Sequence, residues 1–278
     1  MKTALARLWR NPAGRCGLIL VGIVVLLGLL GPTLIPHDPN RLNIMARFSA
    51  PSAAHWMGTD QLGRDLFARI ADGGRVALLV ALTTIAIALV AGTLLGIAAA
   101  SAPAWVEQAI LVLFDIVSAF PSLVLALAVV ALMGPGLDKV ILIVAVTLIP
   151  HFGRVARAQT LSLRASPFLE AERVLGASAL RVTAHHVAPN ILGPLVVLAS
   201  MDIPVVVTIE AGLSFLGVGA PPPRASWGTL LRDGYATLSQ SPWPVVFASA
   251  MLIVATLGFT LLGEALRDAI DPKLRVNP

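Results

Sequence analysis

Apolar residues in this chain fall into long blocks separated by short polar stretches, and the blocks have the length of helices that cross a bilayer. Gly17 to Ile35 is an apolar run of 19, and Val76 to Ala100 is an uncharged run of 25. About 20 apolar residues, at a helical rise of about 1.5 Å each, cover the hydrocarbon core. Further blocks are Leu111–Met133, Ile191–Phe215 and Val245–Leu262. A shorter one, Val140–Phe152, holds only 13 residues. It spans if the helix continues through Ala158 and Leu161 while Arg154 and Arg157 extend towards the headgroups. The pattern therefore predicts an all-α, polytopic membrane protein with six transmembrane helices. The first run is too long for a signal-peptide core and lacks a small-residue cleavage site, so it reads as an uncleaved span.

The blocks carry local signals. Gly92 and Gly96 have the spacing that lets helix backbones approach, although incidental small residues account for it equally well. Pro121 predicts a kink in the third span, and Asp115 needs water or an arginine as partner. Ser101–Glu107 and Gly134–Lys139 read as turns. The fifth span is the costliest, because it contains Pro194, Asp202, Pro204 and Glu210. Its 13 Leu, Ile, Val and Phe residues supply roughly −5 kcal/mol of insertion energy, against about +3 for a central Asp and less for Glu210. A helix so near zero faces protein or water, which makes Asp202 and Glu210 candidates for a translocation path. The alternative is that both acids pair with polar groups inside the bundle.

Between the blocks, residues 37–74 form a loop whose second half places Leu62, Leu66 and Ile70 at helical spacing. Asp60–Arg64 and Asp65–Arg69 are then ion pairs one turn apart, of structural value. Residues 217–243 are rich in turns, with Pro221, Pro222 and Pro223 followed by Trp227. Residues 164–190 form a polar island. Ser166 and Pro167 start a helix, Glu170 and Glu172 suit its first turns, and Gly176 ends it in a left-handed conformation. Ser178 caps a second helix that Pro189 breaks. The expectation is helix, glycine hinge, helix.

Composition agrees with the membrane reading, at 57% hydrophobic and 13% charged residues, against roughly 25% charged in soluble domains. The excess of five basic residues is explained by topology and needs no nucleic acid. With residues 1–16 as a cytoplasmic segment, the inner stretches hold twelve Lys and Arg and the outer ones eight. Both termini and the loop 164–190 are then cytoplasmic, and 37–74 and 217–243 are external. Cys16 is the single cysteine, so no intrachain disulfide forms, and no Cys or His cluster has metal-site spacing. His185 and His186 point about 100° apart on a helix and read as surface histidines. No phosphate-binding loop occurs, since none of Lys2, Lys139 and Lys273 follows a glycine. Neither a serine-hydrolase elbow nor a zinc-protease motif is present, so the chain is not read as an enzyme.

The spacing of Glu170, Ala171, Gly176, Ala177 and Pro189 resembles the EAA loop of ABC importer permeases. Glu172 stands where that pattern has a second Ala, and His186 and Ala188 replace its usual Ile and Leu. Arg181, His186, Pro189 and Asn190 are similar to the dipeptide, oligopeptide and nickel branch. Three more stretches resemble the same branch: GTDQLGRDLFARIADGGRVAL, SFLGVGAPPPRASWGTLLRDG and GEALRDAIDPKLRV. The last suggests a short amphipathic helix stopping before Pro272. The resemblance implies a type I importer permease fold spanning residues 17–278 in a bacterial inner membrane. It implies a second, homologous permease, two ATPase subunits or domains and an external substrate-binding protein. ATP and magnesium belong to the ATPases, and this chain binds no cofactor. Peptides or nickel chelates are the implied cargo. A self-contained secondary transporter using Asp202 and Glu210 as ion sites, and a membrane scaffold, are the competing readings.

Overall fold

The computed structural model describes residues 8–9 and 11–270. The described residues form helices joined by loops, without a strand. Helix α1 (Pro12–Leu34) starts where Asn11 accepts from the Ala13 N–H (3.0 Å) and Pro12 occupies the first turn. The boundary at residue 16 is therefore no structural break, and the rest of the expected N-terminal segment lies outside the described residues. A 3₁₀ turn at Ile44–Ala46 precedes α2 (Leu66–Ser101), which is followed by α3 (Ala104–Ser118), α4 (Ser122–Met133) and α5 (Leu137–Arg164). Next come α6 (Pro167–Val174), α7 (Ala179–Val182), a π turn (Thr183–Val187), α8 (Ala188–Phe215), α9 (Trp227–Ala236) and α10 (Trp243–Ile270).

Among the described residues five helical segments are long and apolar enough to cross a membrane, and α3 with α4 reach that length and hydropathy only as a pair, bent by 81° at the break. The bend falls at Pro121, which cannot donate to the ladder of α3. It is a break between two helices, sharper than the expected kink. The turn before α3 is shorter than expected, because Glu107 already lies in its first helical turn.

Helix α2 is 36 residues long and about 54 Å from end to end. It begins at Leu66, within the stretch where Leu62, Leu66 and Ile70 have helical spacing, because Asp65 caps it by accepting from the Ala68 N–H (2.8 Å). The pairing of Asp65 with Arg69 is thus replaced. Arg69 lies 3.4 Å from Asp60 instead, and Asp60 also holds Arg64 at 2.7 Å. Asp60, Leu62 and Arg64 are in loop rather than helix, and Asp60 accepts from the backbone of Leu62 (2.8 Å) and Arg64 (3.0 Å). This buried carboxylate is the hub of the loop.

Helices α2 and α5 pack most closely, and they run in the same direction. A Cβ on Gly92 would sit 2.7 Å from Ile149 O and the Phe152 Cβ, and one on Gly96 would sit 2.8 Å from the Ala156 Cβ. Further along, Arg164 donates to Ala100 O. The two glycines are thus a packing seam, since small residues let backbones meet where lipid offers no competing hydrophobic force. Arg154 and Arg157 do not simply extend to headgroups. Arg154 pairs with Asp115 at 2.7 Å, and Arg157 pairs with Glu107. These pairs tie α3 antiparallel to α5, with Phe114 buried over Gly153.

The stretch 217–243 is also more structured than its prolines suggested. Ser226 and Thr229 form a reciprocal capping box that starts α9. Trp227 is buried, and its indole donates to Ile70 O at 3.0 Å. The Ala225 N–H donates to Asp72 at 3.2 Å, so this loop is fastened to the first turns of α2. The C-terminal stretch from Gly263 is no separate helix, because it continues α10 to Ile270. Residues beyond that point lie outside the described ones.

Candidate functional site

The polar island folds as helix, hinge, helix. Glu170 and Ala171 lie in α6, and Gly176 takes φ +85°. The Ala177 N–H donates to Glu172 O (3.1 Å), the long bond of a Schellman motif, in which the residue after the left-handed glycine reaches back into the last turn. Ala177 is packed against the core, which fits the apolar contact this motif makes. Ser178 accepts from the Arg181 N–H at 3.3 Å and starts α7. Two expectations need correction. The Ser166 hydroxyl has no hydrogen-bond partner among the described residues, and its carbonyl instead accepts from Leu169 (3.1 Å) and Glu170 (3.3 Å).

Pro189 does not break the chain's helical path either. The backbone widens into a π turn, with the Ala188 N–H donating to Thr183 O, and Pro189 falls in the first turn of α8, where a missing N–H costs little. The result is one helical path from Ala179 to Phe215, 37 residues long. Helix α7 thus leads into α8 as continuous helix.

Leu169, Val182 and Val187 are buried and anchor the pair to the bundle. Its tip is apolar and bare: Val174 and Leu175 are 83% exposed and Leu180 is 79% exposed. Glu170, Arg181 and Pro189 are exposed beside it. His186 joins the two helices, with Nε2 3.7 Å from Glu172 and its ring edge-on to Phe168 at 5.2 Å. It is therefore half-buried, whereas its neighbour His185 is exposed. Val174, Leu175 and Leu180 were missed in the sequence because isolated apolar residues in a polar loop carry no periodic signal. The tertiary fold leaves all three bare.

The two acids of the fifth span have different surroundings. Asp202 lies 14 residues, about 21 Å, along α8 from its start at Ala188. Its carboxylate is 3.5 Å from His151 of α5, and that imidazole is 48% exposed. His151 was overlooked because it sits within the short apolar run before Arg154. Glu210 is 1% exposed, accepts from the Ser214 hydroxyl at 2.7 Å, and lies where α8 meets the loop that follows it, since Ser214 also accepts from the Ala220 N–H at 3.2 Å. The structure therefore does not bring Asp202 and Glu210 together. Asp202 with His151 opens on the flank of the chain, and Glu210 is enclosed in it.

Comparisons with known proteins identify relatives of the chain. The family described as the binding-protein-dependent transport system inner membrane component matches residues 92–276. The N-terminal transmembrane domain of oligopeptide transport permease C matches residues 1–51. The dipeptide transport system permease protein DppC of Alkalihalophilus pseudofirmus is 37% identical over 274 residues, covering 99% of this chain and 90% of that protein. Among solved structures, an inward-facing form of the MetNI methionine ABC transporter has a TM-score of 0.59 at 17% identity, covering 74% of this chain and 96% of its own. A second crystal form of that transporter has a TM-score of 0.55 at 18% identity, covering 71% and 92%. The fold is thus that of a type I importer permease. A multi-pass helical chain with a capped helix pair, built without an ATP-binding motif of its own and matched over nearly all its length, belongs to the binding-protein-dependent transport permeases, as the membrane subunit of an ABC importer.

Proposed function

We propose that this chain is one of two homologous permeases in an importer of di- or oligopeptides across a bacterial inner membrane. Two ATPase subunits or domains, holding the ATP and magnesium, energise it, and an external binding protein delivers the cargo. In this reading both termini and the helix pair 167–182 are cytoplasmic, and the loops around Asp60 and Trp227 are external. The single observation that carries it is the shape of the helix pair. Its buried side is fixed by Leu169, Val182 and Val187, and its bare apolar tip of Val174, Leu175 and Leu180 is ready to enter a cleft on an ATPase. Glu170, Arg181 and His186 surround that tip, and the π turn passes its displacement into α8. Asp202 and His151 face the second permease or the path between the two. The name of the Alkalihalophilus relative supports peptide over nickel cargo.

The test is reconstitution of the permease pair, its co-purifying ATPases and the binding protein in vesicles with a radiolabelled dipeptide. Accumulation that needs both ATP and the binding protein is the expected result. Accumulation driven by an ion gradient without ATP overturns the reading in favour of a secondary transporter.

A further inference from the structure

A second cluster lies at the end of the molecule away from the coupling loop. Helices α2 and α5 run in the same direction, so the start of α2 is at the opposite end from Arg164 and the helix pair that follows it. There the chain brings together His37, just past the end of α1, His55, from the middle of the loop, and Asp65, the cap of α2. Their potential ligand atoms all lie within 4.8 Å of one another. His55 Nδ1 is 2.8 Å from Asp65 Oδ2, His37 Nδ1 is 3.9 Å from the same oxygen, and the two rings are 5.1 Å apart and tilted by 44°. Sequence spacing did not show this cluster, because its members are 18 and 10 residues apart and only the folded loop unites them.

We propose that His37, His55 and Asp65 bind one divalent transition-metal ion of the zinc class. Two imidazoles and a carboxylate are a borderline donor set that suits zinc or nickel over magnesium or calcium, which prefer all-oxygen shells. A tetrahedral ion with bonds of about 2.0 to 2.2 Å places its donors roughly 3.3 Å apart. The present separations of 2.8 and 3.9 Å lie on either side of that value, so small side-chain rotations complete the site. Asp65 is oriented for this role. Its Oδ1 is held by the Ala68 N–H, which leaves Oδ2 facing both histidines. The cluster opens into a cavity of about 530 Å³ lined also by Asn43 and Arg41, which leaves room for water as the remaining ligand. His37 is 43% exposed and His55 19%, so an ion reaches them without unfolding the loop. Bound there, the ion ties the end of α1 and the middle of the loop to the cap of α2. It thereby stiffens the surface on the side opposite the coupling loop.

The test uses the full chain, carried with its co-purifying subunits on a tag without histidine, stripped of metal and titrated in detergent with ZnCl2 against a chromophoric chelator. One zinc per copy of this chain is expected, with magnesium failing to compete. Cobalt should give the intense visible bands of a four-coordinate site. His37→Ala and His55→Ala should each weaken zinc binding by more than the roughly 10- to 100-fold that loss of an outer-shell partner costs. Asp65→Asn keeps a capping side chain and should also weaken it. A His185→Ala variant should bind as wild type does. Unchanged zinc affinity in His37→Ala, or cobalt spectra typical of six-coordinate surface binding, overturns the proposal. Because binding is read in detergent, its failure leaves the import reading and its topology intact.

Discussion

Gly176→Val separates coupling from folding. The residue sits at φ +85°, where a β-branched side chain is strained by about 1 to 2 kcal/mol. A Cβ there meets nothing within 4 Å, so the cost is conformational, with no clash added. Relaxing the backbone avoids the strain but gives up the Ala177–Glu172 bond of the Schellman motif, a loss that wild type would suffer equally. The substitution therefore shifts the equilibrium away from the native angle between α6 and α7 by the strain alone, about 1 to 2 kcal/mol or roughly 5- to 30-fold. The anchors Leu169, Val182 and Val187 are untouched, and so are the spans. Abundance and pairing with the second permease should stay normal, while ATPase association weakens or ATP hydrolysis runs without uptake. Gly176→Asn is the control, since Asn adopts the left-handed conformation more readily, and it should retain most of the coupling. The assay is the ratio of dipeptide imported to ATP hydrolysed in reconstituted vesicles. Equal ratios for wild type and Gly176→Val, or equal losses in the Val and Asn variants, would refute the role assigned to the hinge angle.

Two further outcomes follow from the proposed topology and path. In a Cys16→Ser background, single cysteines at Ala53 and Ser239 should react with an impermeant thiol reagent in sealed cells, whereas those at Ser101 and Ala179 should not; all four positions are exposed, so labelling of Ala179 from outside would invert the orientation. Asp202→Leu removes an insertion cost of roughly 3 kcal/mol and should leave abundance normal or raised. It strands His151 without its partner 3.5 Å away, so uptake or assembly with the second permease should fall, and unchanged values of both would place the pair outside the working path.

The spans were legible because each buries or exposes one long apolar block to lipid, and length alone decides whether such a block crosses. The helix pair was legible for a local reason: Gly176, Ser178 and Pro167 each impose a backbone preference that needs no tertiary help. Where charges intervened, the sequence misled. The helical spacing of Leu66 and Ile70 held, but the pairing of Asp65 with Arg69 did not: Asp65 caps α2 and meets His55, Arg69 turns to Asp60, and Asp72 accepts from the Ala225 N–H, 153 residues away. Arg154 and Arg157 read as solvent-seeking side chains because their acids, Asp115 and Glu107, lie 39 and 50 residues earlier. Pro189 marked a helix end on local rules, and only the π turn before it shows how the path continues. The metal-capable cluster was illegible for the same reason, since loop closure and not spacing assembles it.

These distant ties bear on how force can travel in the proposed coupling. The helical path from Ala179 to Phe215 has no flexible joint, so a push on α6 and α7 reaches α8 as a rotation or a shift, with the π turn as the softest point because its hydrogen bonds are already in a wider register. At its outer end α8 is held by Glu210 and Ser214, which meet the loop that Trp227 fastens to α2. Helix α2 in turn is locked along the glycine seam to α5. A helix held at the outer end and driven at the inner end moves most below its fixed point, and it moves against its less tightly held neighbours. The contact left to yield is the one at Asp202 and His151. It is long at 3.5 Å, and no hydrogen bond completes that carboxylate oxygen among the described residues. A buried polar group without a partner calls for an explanation. In the proposed coupling, two positions of α8 against α5 differ at this pair, and so removing one carboxylate there should affect transport more than stability.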